Sequence, residues 1–130
     1  MYLLDTNTVI YFFKAIGNVA NRWLSHPPHQ IALPAIVVYE LETGIAKSTQ
    51  PDKRRAQLDE LLNGVTVFPF DLTAAKTTAA LRAVLEQAGT PLGPLDTLIA
   101  GIVLTHQAIL VTHNTREFSR IPHLRLEEWY

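Results

Sequence analysis

Short apolar runs alternate with longer segments of helical periodicity along the whole chain. The runs predict buried strands at Tyr2–Leu4, Ile31–Leu33, Val65–Phe68 and Ile109–Val111, with a last short strand near Leu124–Leu126. Strands that are apolar throughout and alternate with helices are typical of parallel sheets covered by helices on both faces. The pattern therefore predicts an α/β fold with a short parallel sheet of about five strands.

The segments between these runs carry helix signals. Val37, Leu41 and Ile45 recur four positions apart, and prolines stand where helices are expected to begin, a position that tolerates them. No repeat or linker divides the chain, so residues 1–130 are predicted to form one domain. Thr6 or Asn7 is expected to cap a first short helix that runs through Phe13. The other predicted helices run from Asn18 to Ser25, Pro34 to about Lys47, Pro51 to Asn63, Asp71 to Gln87 and Pro94 to His106.

Polar residues follow two of the predicted strands. Asp5 comes directly after the first strand, and Thr112–Asn114 follows the fourth. Ligands of open α/β sheets bind at the carboxyl ends of the strands, so these residues are expected to meet at one edge. Taken alone, Asp5 is explained equally well as a turn or helix-capping residue.

Asp96 and Glu40 are acids on two of the predicted helices. Asp96 lies in a first helical turn between Leu95 and Leu98. The helix dipole favours an acid there by roughly 0.3–1 kcal/mol, yet a carboxylate buried among leucines needs a partner, which a metal ion would supply. Glu40 lies beside the apolar face of its helix and is either a solvent-facing residue or a member of the same acidic site.

Asn114 and Glu117 are three positions apart and are expected to share one face of a turn or short helix. Clustered carboxylates raise one another's pKa values, and Mg²⁺ or Mn²⁺, which take oxygen ligands, relieve the repulsion. Such ions activate bound water for attack on phosphorus. Asp5, Glu40, Asp96 and Glu117 together therefore predict a divalent-cation site. No Ser-His-Asp or Cys-His set is evident.

Composition narrows the class of protein further. The chain has no cysteine, which excludes disulfides, thiol catalysis and cysteine-based zinc sites and suits a reducing cytoplasm. No apolar stretch reaches the ~20 residues of a membrane span, and no signal peptide is recognised. Charged residues make up 18% of the chain, which is low, so we expect a partner or a second copy to cover some apolar surface.

The net charge of -1 does not by itself suggest nucleic-acid binding. Setting aside four of the twelve acids as site residues leaves eight against eleven basic residues, an excess of three. Two basic groups are either solvated surface charges or phosphate contacts. Of the five histidines, only His113 adjoins the predicted site. The basic groups are Lys53, Arg54 and Arg55, and Arg116, Arg120 and Arg125.

Four segments carry a family resemblance through their order and spacing. They are Leu3–Asn7, Tyr39–Leu41 followed by Gly44, Gly93–Gly101 and Val111–Phe118, and the ending Arg125–Trp129 also fits. Over essentially its whole length the chain resembles PIN-domain ribonucleases, in particular the VapC toxins of bacterial type II VapBC toxin–antitoxin pairs. The resemblance implies a three-layer fold, a homodimer and Mg²⁺- or Mn²⁺-dependent cleavage of RNA.

The resemblance also implies roles for individual residues. Asp5 and Asp96 would be the principal metal ligands, and Glu40 a metal-associated acid. The family often has aspartates where Asn114 and Glu117 stand, so Glu117 is expected to be the fourth acid and Asn114 to support it by hydrogen bonding. The remaining assignments are polar neighbours that orient ligands or waters, at Thr6 and Thr112, and RNA-contacting residues at Lys53, Arg54, Arg55, Arg116 and Arg120.

The implied partners are a VapB antitoxin and an RNA substrate. The antitoxin's C-terminal segment would occupy a groove of the toxin and present a basic side chain to the acids, and the complex would be a homodimer of toxins or a larger toxin–antitoxin assembly. Toxins that look most like this chain cut tRNA in the anticodon stem-loop, initiator tRNA in particular, which implies a cytoplasmic protein. The alternatives are a PIN nuclease that processes RNA outside any toxin pair, and a non-catalytic PIN module that binds RNA or protein.

Two other acid-dependent classes fit less well. A phosphatase with an aspartyl nucleophile usually has a second aspartate two residues after the first, and position 7 here is Asn. A phosphoacceptor receiver domain is expected to have its aspartate well inside the chain and a lysine near the end. Here Asp5 is too early, and no lysine follows Lys76.

Overall fold

A computed structural model describes all 130 residues and contains one five-stranded sheet in the order β3-β2-β1-β4-β5. Every neighbouring pair of strands is parallel, which confirms the predicted α/β fold. The strands are β1 (Tyr2–Leu4), β2 (Ile31–Pro34), β3 (Thr66–Phe68), β4 (Ile109–Val111) and β5 (Arg125–Glu127). The last strand is one residue later than predicted, because Arg125 pairs with Ile109 and Leu126 with Leu110.

Seven α-helices connect the strands, and a single 3₁₀ turn at Pro28–Gln30 was not predicted. The helices are α1 (Thr6–Lys14), α2 (Val19–Leu24), α3 (Ala35–Ala46), α4 (Pro51–Gly64), α5 (Leu72–Gln87), α6 (Pro94–Thr105) and α7 (Thr115–Phe118). The expectation that Thr6 or Asn7 caps the first helix is wrong. Asp5 is the cap, because its backbone is still extended and its side chain accepts a hydrogen bond from the Thr8 N–H. None of the helices is long and apolar enough to cross a membrane.

The order of the strands reverses beside β1. The chain moves from β1 to β2 and β3 on one side, then crosses to β4 and β5 on the other. Such a reversal leaves a crevice outside the carboxyl ends of the two strands that flank it. Here those ends are the residues after Leu4 and after Val111, which are Asp5 and Thr112.

The core lies on both faces of the central strands. Leu3, Leu4, Leu33 and Leu110 are fully buried, as expected for a parallel sheet covered by helices on each face. The largest fully buried side chain is Trp129, which lies beyond β5. The core therefore extends from the sheet into the segment that follows its last strand.

Helices α5 and α6 approach each other so closely that one contact position requires glycine. A Cβ atom at Gly101 of α6 would lie 1.7 Å from the Oγ1 atom and 2.7 Å from the Cβ atom of Thr78 on α5. Thr78 Oγ1 is buried and has no hydrogen-bond partner. This contact sets the position of α6, whose first turn carries Asp96.

The segment after β5 is fixed by aromatic and polar contacts. The Trp129 ring stacks on His26, with centroids 4.9 Å apart, and its Nε1–H donates to Glu127 Oε1 at 2.8 Å. The same carboxylate accepts a hydrogen bond from Arg22 at 3.2 Å. The segment is thereby tied to α2 and to the edge of the sheet.

Candidate active site

Asp5 is held rigidly at the carboxyl end of β1. Its backbone N–H donates to the Val111 carbonyl oxygen at 3.1 Å, which continues the pairing of β1 with β4 beyond the strands. Its Oδ1 atom accepts the Thr8 N–H at 2.9 Å, and the side chain is 6% exposed. Asp5 is therefore a helix cap, as one of its two explanations proposed, and its second carboxylate oxygen remains available to a ligand.

Glu40 comes to the same edge from α3. The Thr6 hydroxyl, at the start of α1, donates to Glu40 Oε1 at 2.7 Å. This bond joins residues 34 positions apart and fixes a side chain that would otherwise rotate freely on the helix surface. Glu40 is partly buried, so its solvent-facing interpretation is wrong, and Thr6 orients it as expected of a polar neighbour.

Asp96 is the electrostatic centre of the site. Burial raises the pKa of its carboxyl above the ordinary value, and the negative charges of Asp5, Glu40 and Glu117 raise that pKa further. Three separate carboxylates thus act on Asp96, so the structure brings the four predicted acids into one region. No basic side chain contributes an opposing effect on Asp96. A bound cation would relieve this repulsion.

The loop after β4 supplies the last acid together with its supports. Thr112 is fully buried, and its Oγ1 atom accepts the Asn114 N–H at 2.9 Å. The Asn114 amide Nδ2 then donates to Glu117 Oε2 at 3.0 Å. The two residues three positions apart do share a face, and Asn114 orients Glu117 through a direct hydrogen bond.

The donor set fits a hard divalent cation. All four acids offer carboxylate oxygens, the ligand type that Mg²⁺ and Mn²⁺ prefer. No three Asp, Glu or His side chains are already gathered closely enough to hold a metal by themselves. Mg²⁺ usually keeps several of its waters and is bound through one or two carboxylates, so its binding does not require such a group.

A groove between α1, α3 and α4 leads to the site. It has a volume of about 410 Å³, and Glu40 lies on its wall together with Lys14, Lys47 and Arg54. Ile10 and Leu41 are among its apolar residues. Two larger cavities, of about 600 and 550 Å³, contain none of the four acids. The smaller groove is therefore the one that contains a residue of the candidate site.

The three residues of the first predicted basic group have different surroundings in the structure. Arg55 is paired with Glu42 on α3, at 2.5 Å, and with Asp59, and the Glu42 carboxylate raises the pKa of its guanidinium. Arg54 instead lines the groove beside Glu40, and Lys53 is exposed on α4. Arg54 is thus the member of this group closest to the acids.

The three residues of the second predicted basic group do not lie at the same end of the sheet. Arg116 and Arg120 are exposed on and just after α7, near Glu117. Arg125 pairs with Ile109, the first residue of β4, and its guanidinium donates to the Gln107 carbonyl oxygen. It therefore lies at the amino end of the sheet, opposite the acids. The expectation that Arg125 belongs to a phosphate-contacting group with Arg116 and Arg120 is wrong.

Sequence reasoning missed two kinds of residue. Thr8 is buried, and its hydroxyl donates to the Val111 carbonyl oxygen at 3.2 Å, which joins α1 to β4 next to Asp5. Its position three residues after the capping acid was the available signal. Lys14 and Lys47 line the groove, and no local pattern distinguishes them from other surface lysines.

Comparisons with known proteins identify the family of the chain. Residues 2–124 match the PIN domain family. The chain is 34% identical over 128 residues to a tRNA(fMet)-specific endonuclease VapC of Salmonella typhimurium, which covers 98% of this chain and 97% of the relative. A crystal structure of DNA-bound VapBC from Salmonella typhimurium superimposes with a TM-score of 0.92 at 35% identity, covering 99% of this chain and 98% of that one.

A second solved structure gives the same result. The structure of VapBC2 from Rickettsia felis bound to a promoter DNA fragment has a TM-score of 0.91 at 35% identity, covering 99% of this chain and 98% of that chain. Sequence and structure thus agree along nearly the entire length. The chain belongs to the PIN-domain family and, within it, to the VapC proteins.

Proposed function

We propose that the chain is the toxin of a type II toxin–antitoxin pair and a Mg²⁺- or Mn²⁺-dependent endoribonuclease. The observation that carries this proposal is the convergence of four acids at one edge of the sheet, where Asp5, Glu40 and Glu117 are each fixed by a hydrogen bond and act together with burial to raise the pKa of Asp96. An acidic centre without a neutralising base is suited to bind a cation and, through it, a phosphodiester. The relatives named as ribonucleases and endonucleases support RNA as the polymer.

Hydrolysis needs a water aimed at phosphorus and stabilisation of the charge that develops on the leaving oxygen. A bound divalent ion supplies Lewis-acid stabilisation and lowers the pKa of its water. In this chain, Asp5 and Asp96 would hold the ion. Glu40, fixed by Thr6, and Glu117, fixed by Asn114, would serve as acceptors that orient the attacking water.

We infer that the substrate is tRNA. The Salmonella relative is named for cleavage of tRNA(fMet), and the two chains match over nearly their full lengths. The anticodon stem-loop of initiator tRNA is the expected target, which implies a cytoplasmic site of action. Exposed Arg116 and Arg120 beside Glu117, and Arg54 beside Glu40, are placed to contact phosphates on the two sides of the site.

The proposed inhibitor is a VapB antitoxin. The similar solved structures are VapBC complexes. The groove between α1, α3 and α4 has apolar walls and leads to Glu40, so a peptide seated in it could place a basic side chain against the acids and displace the ion. The low charge content and the exposed Phe70, Leu72 and Val84 favour a second toxin copy as a further partner.

Two alternatives make different predictions. A PIN nuclease that processes RNA outside a toxin pair would need the same acids, but it would be encoded without an adjacent antitoxin gene. A non-catalytic PIN module would not need them. The chain keeps at least three of the acids that the resemblance implies, and the hydrogen bonds to Asp5, Glu40 and Glu117 fix their positions, which favours catalysis over the second alternative.

The test is RNA cleavage by the purified protein with Mg²⁺, compared with Asp5→Asn and Asp96→Asn. Asparagine caps helices as well as aspartate does, so Asp5→Asn preserves the bond to Thr8 and removes only the charge. Asp52→Asn, an exposed acid in the first turn of α4, is the matched control. We expect folded proteins throughout and loss of cleavage in the two site variants alone. Full activity in either site variant would exclude the proposed centre.

A further inference from the structure

Three aromatic rings lie beside the acids and take no part in the hydrolysis. The rings of His113 and Tyr130 stack, with centroids 4.1 Å apart and planes inclined by 23°. Tyr11 meets both rings at steep angles, with centroid distances of 5.9 Å to His113 and 5.1 Å to Tyr130. These three residues form a cluster that we call the aromatic platform.

Hydrogen bonds fix the position of this platform relative to the acids. The Val111 carbonyl oxygen accepts bonds from the Asp5 N–H and from the Thr8 hydroxyl. His113 follows Val111 by two residues, and Tyr11 follows Thr8 by three, on the same face of α1. The platform therefore lies about one helical turn farther along α1 than the Thr8–Val111 contact, roughly 5 Å along the helix axis.

His113 and Tyr130 both keep open surface in the platform. Tyr130 covers one face of the His113 ring and Glu128 contacts its Nδ1 atom at 3.4 Å, yet 43% of the His113 side chain remains exposed. Tyr130 is 44% exposed and packs against Gly17, where a Cβ atom would be 3.3 Å from two of its ring atoms. The exposed aromatic surface therefore includes part of the stacked His113–Tyr130 pair.

We propose that the exposed ring of His113, stacked on Tyr130 and contacted by Tyr11, is a stacking site for one unpaired nucleobase of the RNA substrate. The proposal rests on the proposed ribonuclease function. Proteins that recognise single-stranded RNA stack splayed-out bases on aromatic rings, histidine included. Such stacking tolerates any base, because every base has a π-face.

A base held here would belong to a nucleotide near the phosphodiester at the acids. Bases in a duplex are already stacked on one another and cannot reach a ring beside the site. The platform would therefore favour cleavage within loops over cleavage within stems. It supplies a physical reason for loop selection that needs no reading of base edges.

The competing explanation is purely structural: the rings only anchor residues 127–130 to α1. Measurements of RNA binding separate the two. The probes are a labelled single-stranded oligoadenylate and a ribose–phosphate strand of equal length that lacks bases. Binding is followed by fluorescence anisotropy in the Asp96→Asn background, which prevents cleavage, with and without His113→Ala, His113→Leu or His113→Phe.

If the base stacks on His113, His113→Ala weakens binding of oligoadenylate by about 5- to 150-fold, the range covered by stacking of one base. Binding of the strand without bases stays unchanged, and His113→Phe restores most of the affinity for oligoadenylate. His113→Leu keeps a side chain against Tyr130 and gives the same loss, so the test stands even if the alanine variant unfolds.

Equal losses for the two strands would overturn the stacking site and leave only the structural role. Unchanged binding of oligoadenylate in both His113→Ala and His113→Leu would also overturn it. If wild-type protein cleaves tRNA in either case, the ribonuclease function stands and only the stacking site is lost. If the protein neither binds the two strands nor cleaves RNA, both proposals fail.

Discussion

Gly101→Ala probes the contact that positions Asp96. The new Cβ atom would lie 1.7 Å from Thr78 Oγ1, 2.7 Å from Thr78 Cβ and 3.2 Å from Thr78 Cα. Rotation of the Thr78 side chain removes the first clash but not the second, because the Cβ atom does not move with that rotation. Helices α5 and α6 must therefore separate to accept the methyl group.

The change in the free energy of unfolding caused by Gly101→Ala can be estimated from two opposing effects. Forcing an extra methyl into a packed interior usually costs about 1–3 kcal/mol, and a clash that no rotamer relieves belongs at the top of that range. Alanine recovers about 1 kcal/mol of helix propensity relative to glycine. We therefore expect a net loss of about 2 kcal/mol in the free energy of unfolding. For a domain of this size that corresponds to a melting temperature lower by about 8 °C.

Thr78→Ala provides the matched control. It removes a buried hydroxyl that has no partner, so by itself it should leave the stability nearly unchanged. Combined with Gly101→Ala it removes the shortest clash, and the double variant should be more stable than the sum of the single effects by about 0.5–1 kcal/mol. Urea unfolding followed by circular dichroism measures all four proteins. A Gly101→Ala protein as stable as the wild type would refute the close approach of α5 and α6.

Three further outcomes test other parts of the structure. In urea unfolding, Asp5→Ala should be less stable than Asp5→Asn by about 1–3 kcal/mol, since only alanine leaves the buried Thr8 N–H without its acceptor; equal stabilities would contradict the cap. With a chelator present, Asp96→Asn should be more stable than wild type at neutral pH, and the difference in stability should shrink as the pH falls. The reason is that the pKa of Asp96 is raised in the folded state, so the folded wild type binds a proton more tightly than the unfolded chain and gains stability in acid. A difference that grows in acid would exclude this reasoning. Trp129→Ala should lower the free energy of unfolding by about 3–5 kcal/mol, because a buried aromatic side chain is lost. Thermal melts measure this change. A loss of less than about 1 kcal/mol would show that the segment after β5 is not part of the core.

Much of the fold was predictable because its signals are local. Each strand is a short apolar run, and proline or a capping acid marks the start of α4, α5 and α6. The meeting of Asp5 with the Thr112–Asn114 loop followed from the rule that parallel strands share a carboxyl edge. The same rule explains why acids far apart in the chain come together.

The remaining features depend on contacts between distant elements that carry no pattern in the sequence. The bond from Thr6 to Glu40 and the pairing of Arg55 with Glu42 depend on how α3 is oriented relative to α1 and α4. The position of Arg125 depends on the register of β5, in which a shift of one residue changes every partner. Gly101 was part of a recognised motif, but its contact with Thr78 could not be inferred from spacing alone.

The bond between the Asp5 amide and the Val111 carbonyl oxygen has a consequence for biosynthesis. It joins the residue after β1 to β4, which is synthesised much later, and Glu117 comes later still. A ribosome-bound fragment that lacks these residues carries Asp5 and Glu40 but has no framework to hold them next to Asp96. Such a fragment should therefore be unable to cut RNA, and the proposed nuclease activity would arise only after Glu117 has emerged and the two sides of the sheet have joined.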